Sequence, residues 1–193
     1  MPSREERIQN LKKANEESHR VIVDSLREAM YDLLETNEIS EIRVVDLIRR
    51  AGVSRGAFYK NFYQVTDVLK DDIKSISEDV DKAIGGDIGS NWEMILRTVY
   101  CHRKKIPLLI KAGMGMQILE QMNAGIEQAE ERFRLRIMVW NGIIFNCIVY
   151  WTGEGYKTPV SELALKMTEI TQGLYDKDIA EKYELFMVSD TFI

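Results

Sequence analysis

Residues 51–62 read AGVSRGAFYKNF, and this stretch governs the interpretation of the whole chain. Gly52 follows an apolar, helix-like segment at the position where a left-handed residue ends a helix. Ser54 is a favoured N-cap, so a second, short helix is predicted after a tight turn. Phe58 and Phe62 are four residues apart and share the inward face of that helix. The outward face then presents small, basic and aromatic residues: Arg55, Gly56, Ala57, Tyr59 and Lys60.

Two further helices are predicted before this stretch. From His19 onward, apolar residues at helical spacing between Ile22 and Leu33 indicate a helix. A second helix is predicted from Val44 to Arg50, so the pattern is a helix–turn–helix with a glycine turn. A plain helical hairpin with exposed charges accounts equally well for the glycine and the apolar positions. It does not account for an exposed tyrosine beside a lysine on a helix that begins with small residues.

The charge of the chain is unevenly distributed. Its formal net charge is −5, but residues 43–60 hold five cations against one Asp46, a local charge of +4 that leaves −9 for the remainder. A basic patch on an acidic chain suits contact with phosphate groups. A solvated face explains the same charges equally well.

The motifs of this region resemble a known family. Ala51-Gly52-Val53-Ser54, Arg55-Gly56-Ala57-Phe58-Tyr59, Phe62 and Asp67-Val68-Leu69 make the segment from about Arg20 to Leu69 similar to the DNA-binding domain of the TetR family of bacterial transcriptional regulators. The resemblance implies an all-helical homodimer with a three-helix DNA-binding domain. It also implies a larger C-terminal domain that binds a small molecule and thereby releases DNA.

The expected DNA-binding residues follow from the helix pattern and the resemblance. Arg55 is expected to read a base, because a guanidinium suits guanine. Tyr59, Lys60 and Arg43 are expected to hold phosphates, and Ser54 to cap the helix. The full expected set is Arg43, Val44, Ser54, Arg55, Gly56, Ala57, Tyr59, Lys60 and Asn61.

Three positions depart from the family pattern. Arg43 stands where the family commonly has a threonine that touches phosphate, so it offers a charge but no capping hydroxyl. Val65 stands where a lysine is common, and Asn61 where histidine is frequent. The phosphate contacts of this chain are therefore expected to differ from the usual ones.

The organisation predicted from the pattern is all-α. Residues 1–18 are a polar N-terminal arm, either a frayed helix or disordered, and 19–62 form the helix–turn–helix domain. Residues 63–193 form the ligand-binding and dimerisation domain, with a connecting helix over 63–84 that ends near Gly85-Gly86. Pro107 and Gly113 mark a break between helices. A short closing helix is predicted after Gly173.

A dimer interface is expected in the C-terminal half. The helix over 135–151 is apolar on nearly every side, so one side is expected to face the core and another a second subunit. A further helix starts after Thr158-Pro159. Two such helices from each subunit would form a four-helix interface. The residues expected there are Met138, Asn141, Phe145, Val149, Leu163, Met167 and Ile170.

The only sequence feature that predicts an effector pocket is the presence of aromatic and flexible side chains in the C-terminal part of the chain. A mainly apolar or aromatic small molecule is expected to contact them, although the same residues serve equally well as core. They are Trp92, Tyr100, Met114, Phe133, Trp140 and Tyr156.

Enzyme chemistry has little support in the sequence. His19 and His102 are the only histidines, and Cys101 points about 100° away from His102 on a helix. No phosphate loop or metal-ligand spacing is found, so no catalytic residue, cofactor or metal site is predicted. The polar N-terminus and an apolar run of only Ile143 to Trp151 predict a bacterial cytoplasmic protein without a membrane partner.

The function predicted from these patterns is a homodimeric transcriptional regulator, a repressor in the usual case. It would bind a palindromic DNA operator through residues 54–60 and be released by a small-molecule effector. The alternative is an effector-independent DNA-binding adaptor, or a structural protein that binds a partner, with the same N-terminal domain.

Overall fold

The computed structural model describes residues 3–84 and 91–172, and this part of the chain is helical without any β-strand. The predicted all-α fold is confirmed. The chain divides into two compact units, the first ending at Asp71 and the second beginning at Asp72. The predicted helix end at 85–86 and the predicted closing helix after Gly173 lie outside the described residues.

The first unit contains three α-helices and two short 3-10 turns. Helix α1 covers Arg4–Leu34, α2 covers Val44–Ala51 and α3 covers Arg55–Asn61. The 3-10 turns cover Ile39–Glu41 and Val65–Leu69. Helix α1 packs against α2 and against the second of these turns.

Helix α1 begins at Arg4 and continues past His19, so the described residues of the N-terminal arm are helical, one of the two alternatives predicted for them. The Ser3 hydroxyl accepts the backbone N–H of Glu6 at 3.2 Å, and the Glu6 carboxylate accepts the N–H of Ser3. This capping box starts the helix. Residues 4–20 are exposed on every side, so no apolar stripe marks this half of the helix.

One small core holds the first unit together. Leu26 and Met30 of α1, Leu47 of α2 and Phe58 of α3 have no accessible surface. Each such side chain stabilises the fold by roughly 1.5–3 kcal/mol relative to an exposed position. This shared core fixes α3 against the other two helices.

The second unit is built from six α-helices among the described residues. They are α4 Lys70–Ile84, α5 Trp92–Cys101, α6 Ile106–Lys111, α7 Gly115–Met122, α8 Glu131–Gly153 and α9 Val160–Gln172, with a 3-10 turn at Ile126–Gln128. Helix α5 packs on α9, and the Trp92 indole N–H donates to the Thr171 hydroxyl at 3.0 Å. The predicted break is confirmed, because Pro107 opens α6 and Gly113 (φ 72°) follows it.

Helix α8 is apolar on both a buried and an exposed side. Trp140, Ile144 and Trp151 are at most 3% exposed, whereas Leu135 is 64% and Tyr150 60% exposed. By length and composition α8 is the one helix of the described residues that meets the requirement for crossing a membrane. The apolar run from Ile143 to Trp151, which the sequence analysis considered too short to cross a membrane, is only part of this helix. A core helix of a soluble protein meets the same requirement.

Candidate nucleic-acid interface

The turn between α2 and α3 has the predicted local geometry. Gly52 adopts φ 67°, a left-handed conformation that is unfavourable for residues with a side chain. The N–H of Val53 donates to the Ile48 carbonyl at 3.1 Å. The Ser54 hydroxyl accepts the N–H of Ala57 at 3.1 Å. Both the left-handed glycine and the serine N-cap are thus confirmed, and the two helices are joined by a tight, hydrogen-bonded turn.

The two faces of α3 differ sharply in burial. Phe58 is fully buried and Phe62 is 9% exposed, with ring centroids 5.9 Å apart. Tyr59 is 48% exposed, and its ring meets Phe58 edge-on at 5.2 Å. The outward face holds exposed Arg55, Gly56, Tyr59 and Lys60, with Ala57 half-buried.

The two cations of α3 have no carboxylate partner in the described part of the chain. No ion pair or hydrogen bond of residues 3–84 or 91–172 uses the side chain of Arg55 or Lys60. The Arg55 guanidinium carbon lies 5.6 Å from the centroid of the Tyr59 ring, within cation–π range. Helix α3 therefore presents an uncompensated positive charge on an exposed face.

The cations of α2 are paired. The Arg43 Nε donates to Asp46 at 2.9 Å, and Arg49 contacts the same carboxylate at 2.9 Å. The hydrogen bond from Arg43 lowers the pKa of Asp46, and Asp46 in turn raises the pKa of Arg43. Arg50 pairs with Asp32 of α1 at 2.6 Å. Arg43 and Arg49 are thus paired within α2 and its N-cap, whereas Arg50 links α2 to α1.

Arg43 occupies the N-cap position of α2 without capping it. Its backbone is extended (φ −96°, ψ 154°), as an N-cap requires, but no side-chain oxygen accepts an amide of the first turn. The predicted loss of a capping hydroxyl at this position is confirmed. Val44, the next residue of the expected set, is half-buried.

Asn61 closes the last turn of α3. Its Nδ2 donates to the Ala57 carbonyl at 2.7 Å, and the residue is half-buried. One of its amide hydrogens is therefore used within the helix. Val65, also half-buried, begins the following 3-10 turn.

Asp67 orders the chain immediately after α3. Its carboxylate accepts the backbone N–H groups of Tyr63 and Gln64, both at 3.0 Å, and pairs with Lys70 at 2.7 Å. Burial alone would raise the pKa of this carboxyl, but these donors lower it below its ordinary value. The sequence pattern included Asp67 only as part of a motif. Its place three residues after Gln64 is the signal that indicates a cap.

The residues expected to bind an effector fall into separate places in the second unit. Trp92 and Trp140 meet edge to face at 5.7 Å. Tyr100 and Tyr156 surround Trp151, with centroids 5.8 and 5.0 Å from its ring. Met114 is buried, and Phe133 is half-buried between the guanidinium groups of Arg132 and Arg136. The structure does not bring all six residues together.

The residues expected at a dimer interface are partly exposed and partly internal. Met138 is 50%, Val149 36% and Ile170 69% exposed, and Met167 is half-buried. Leu163 is buried in its own unit. Two further residues contact neighbouring elements: the half-buried Phe145 lies beside Gly115, and the buried Asn141 donates to the Met122 carbonyl at 2.8 Å.

An apolar groove of about 690 Å³ runs between α8 and α9. Val139, Ile143 and Tyr150 line one wall, and Leu163, Met167 and Ile170 line the other. Of the expected dimer set, Leu163, Met167 and Ile170 line this groove, whereas Met138 and Val149 do not.

Among residues 3–84 and 91–172, no group of histidine, cysteine, aspartate or glutamate residues could hold a metal ion. Comparison of the chain with protein-family models, with curated proteins and with solved structures finds no match.

Proposed function

We propose that this protein is a homodimeric, DNA-binding transcriptional regulator of the TetR type, acting as a repressor. The observation that supports this most strongly is the exposed face of α3. It combines Arg55, Tyr59 and Lys60, which have no carboxylate partner among residues 3–84 and 91–172, on a helix whose first turn includes the small residues Gly56 and Ala57. A short helix held by a buried phenylalanine and a capped turn is the form of a recognition helix.

In this proposal α3 enters the major groove of DNA. Arg55 lies in the first turn and reads a guanine, to which a guanidinium donates two hydrogen bonds. Lys60 and Tyr59 contact phosphates, as does Arg43 from the start of α2. Gly56 and Ala57 allow the helix to approach the base edges closely. Phosphate contacts position the domain, whereas Arg55 supplies sequence preference.

The proposed dimer forms through α8 and α9. Tyr150 and Ile170 are 60% and 69% exposed and line the apolar groove, and Met138 of α8 is 50% exposed. Apolar side chains clustered in this way are typical of a protein–protein interface. Two-fold pairing would place two copies of α3 in successive major grooves, about 34 Å apart, on an inverted repeat.

Selection from a pool of duplexes with a randomised central region tests the proposal. We expect the full-length protein to enrich an inverted repeat with half-sites about 10 base pairs apart. Arg55→Ala should relax the preference at one base pair in each half-site by about 1–3 kcal/mol. Failure of the wild-type chain to enrich any sequence would contradict the proposal.

A second candidate is the DNA-binding adaptor without an effector. It is favoured by Trp92 and Met114, which are at most 2% exposed and fill the core of the second unit. The two candidates differ in their response to small molecules. A regulator releases its selected duplex when an effector binds, whereas an adaptor keeps the same affinity across a panel of apolar and aromatic compounds.

A further inference from the structure

A pocket of about 290 Å³ lies inside the second unit, where α4, α8 and the 126–128 turn meet. Its volume is at the lower end of the range for small-molecule sites, so it suits a compact ligand. Most of the wall is apolar: Ile84, Met122, Ile126, Ile137 and Trp140. Every residue that lines the pocket belongs to the second unit.

A single carboxylate interrupts this apolar wall. Asp81 lines the pocket, and no hydrogen bond or ion pair of residues 3–84 or 91–172 includes it. Asp81 is an exposed residue, although partial burial of its carboxyl, and then the negative charge of Glu78, raise its pKa. The neighbouring lysines of α4 are directed elsewhere, Lys74 towards Glu78 at 3.9 Å and Lys82 towards Asp79 at 3.5 Å. Among the described residues, no cation competes with a ligand for Asp81.

Asn141 contributes a second unused acceptor. The residue lines the pocket and is only 4% exposed. Its Nδ2 donates to the Met122 carbonyl at 2.8 Å and to Asn123 Oδ1 at 3.0 Å, which uses both amide hydrogens. Its Oδ1 accepts no hydrogen bond from the described residues. An amide oxygen has two lone pairs, so this oxygen has capacity for a ligand donor.

The aromatic lining suits a positive charge as well. Trp140 lines the pocket and is backed edge to face by Trp92 at 5.7 Å. Indole attracts cations more strongly than the other aromatic side chains. An anion would be repelled by Asp81 and Glu78, and a neutral hydrocarbon would leave both acceptors without a donor. The lining thus selects a ligand that is apolar in its body and positively charged at one end.

We propose that this pocket binds a small protonated amine with an aromatic or apolar body. Its ammonium group donates to the Asp81 carboxylate and to Asn141 Oδ1, and its body packs against Ile137 and Trp140. The inference rests on the proposed function and deepens it, because it gives the effector a chemical class and a place.

Calorimetric titration of the full chain with two matched probes tests the site. The probes are 1-naphthylmethylamine and 1-naphthylmethanol, which are nearly equal in size and differ in charge. We expect the amine to bind about tenfold more tightly or better, since hydrogen bonds between charged groups are stronger than neutral ones. Equal affinity of the wild-type protein for the two probes, or no binding of the amine, would overturn the proposal.

Asp81→Asn and Glu120→Gln form a matched pair of variants. Both remove a carboxylate from the second unit, but Glu120 is exposed on α7 and does not line the pocket. Asp81→Asn should abolish the preference for the amine and keep affinity for the alcohol, whereas Glu120→Gln should keep both. A preference that survives Asp81→Asn would overturn the assignment.

A parallel DNA-binding titration separates this inference from the proposed function. If the protein binds DNA specifically but does not bind the amine, the proposed amine site is refuted and the proposed regulator function is retained. If the protein binds the amine but shows no specific DNA binding, the proposed regulator function is refuted and the amine site is retained.

Discussion

Ser54→Ala tests how far a single cap determines the helix proposed to contact DNA. Helix α3 has only seven residues, and the Ser54 hydroxyl accepts one of its first amides, that of Ala57, at 3.1 Å. Loss of a serine N-cap costs about 1 kcal/mol. For a unit of this size, that corresponds to a fall of roughly 4–8 °C in the midpoint of thermal unfolding.

The assay distinguishes the two units by their tryptophans. Trp92, Trp140 and Trp151 are the only tryptophans of the chain and all belong to the second unit. Their fluorescence reports unfolding of that unit, whereas far-ultraviolet circular dichroism reports both. We expect Ser54→Ala to shift the part of the circular dichroism transition that fluorescence does not follow.

Ser18→Ala is the matched control for the same chemical change. Ser18 lies within α1, is exposed, and donates to the Ala14 carbonyl at 2.8 Å. Alanine favours a helix interior more than serine does, so this variant should be neutral or slightly stabilised. Equal midpoints for Ser54→Ala and the wild type would refute the assignment of Ser54 as the cap that stabilises α3.

Two further predictions concern residues that flank the exposed helix. Arg43→Thr should raise the midpoint of the first unit above that of Arg43→Ala, because only threonine supplies the missing hydroxyl cap of α2; equal midpoints would contradict this. Asp67→Asn should destabilise the first unit by about 1 kcal/mol at pH 7, because charged acceptors form the stronger hydrogen bonds. The pKa of Asp67 is lowered by folding, so its contribution is complete above about pH 4 and is lost as the pH falls through the folded pKa. Urea unfolding at pH 7 and pH 2.5 checks this, and a difference that persists undiminished at pH 2.5 would contradict it.

Local rules predicted the region around α3 well. The left-handed Gly52, the Ser54 cap and the burial of Phe58 and Phe62 each depend on residues close together in sequence, and all four are found. Backbone preference and helical spacing are sufficient for such features. The start of α1 was left open between a frayed helix and disorder, because the apolar pattern follows burial. The first half of α1 is exposed, and the informative signal is the capping box at Ser3.

Packing between distant segments was beyond the reach of the sequence pattern. The aromatic residues of the second unit divide between the Trp92–Trp140 pair and a group around Trp151, which depends on how α5, α8 and α9 meet. Asn141 was predicted at a dimer interface from its place in an apolar helix. Its hydrogen bonds to Met122 and Asn123 join residues about 20 positions apart, and spacing within one helix carries no information on them.

The salt dependence of DNA binding tests the central claim most directly. The affinity of the full-length protein for its selected duplex is measured over a range of salt concentrations for the wild type, Lys60→Ala and Lys104→Ala. Both lysines are exposed and have no ion pair among the described residues, but Lys104 follows α5 in the second unit. If Lys60 contacts one phosphate in each subunit, Lys60→Ala lowers the slope of log K against log salt by about 1.8, and Lys104→Ala leaves it unchanged. An unchanged slope for Lys60→Ala, or an equal fall for Lys104→Ala, would contradict the claim that α3 is the DNA-binding element.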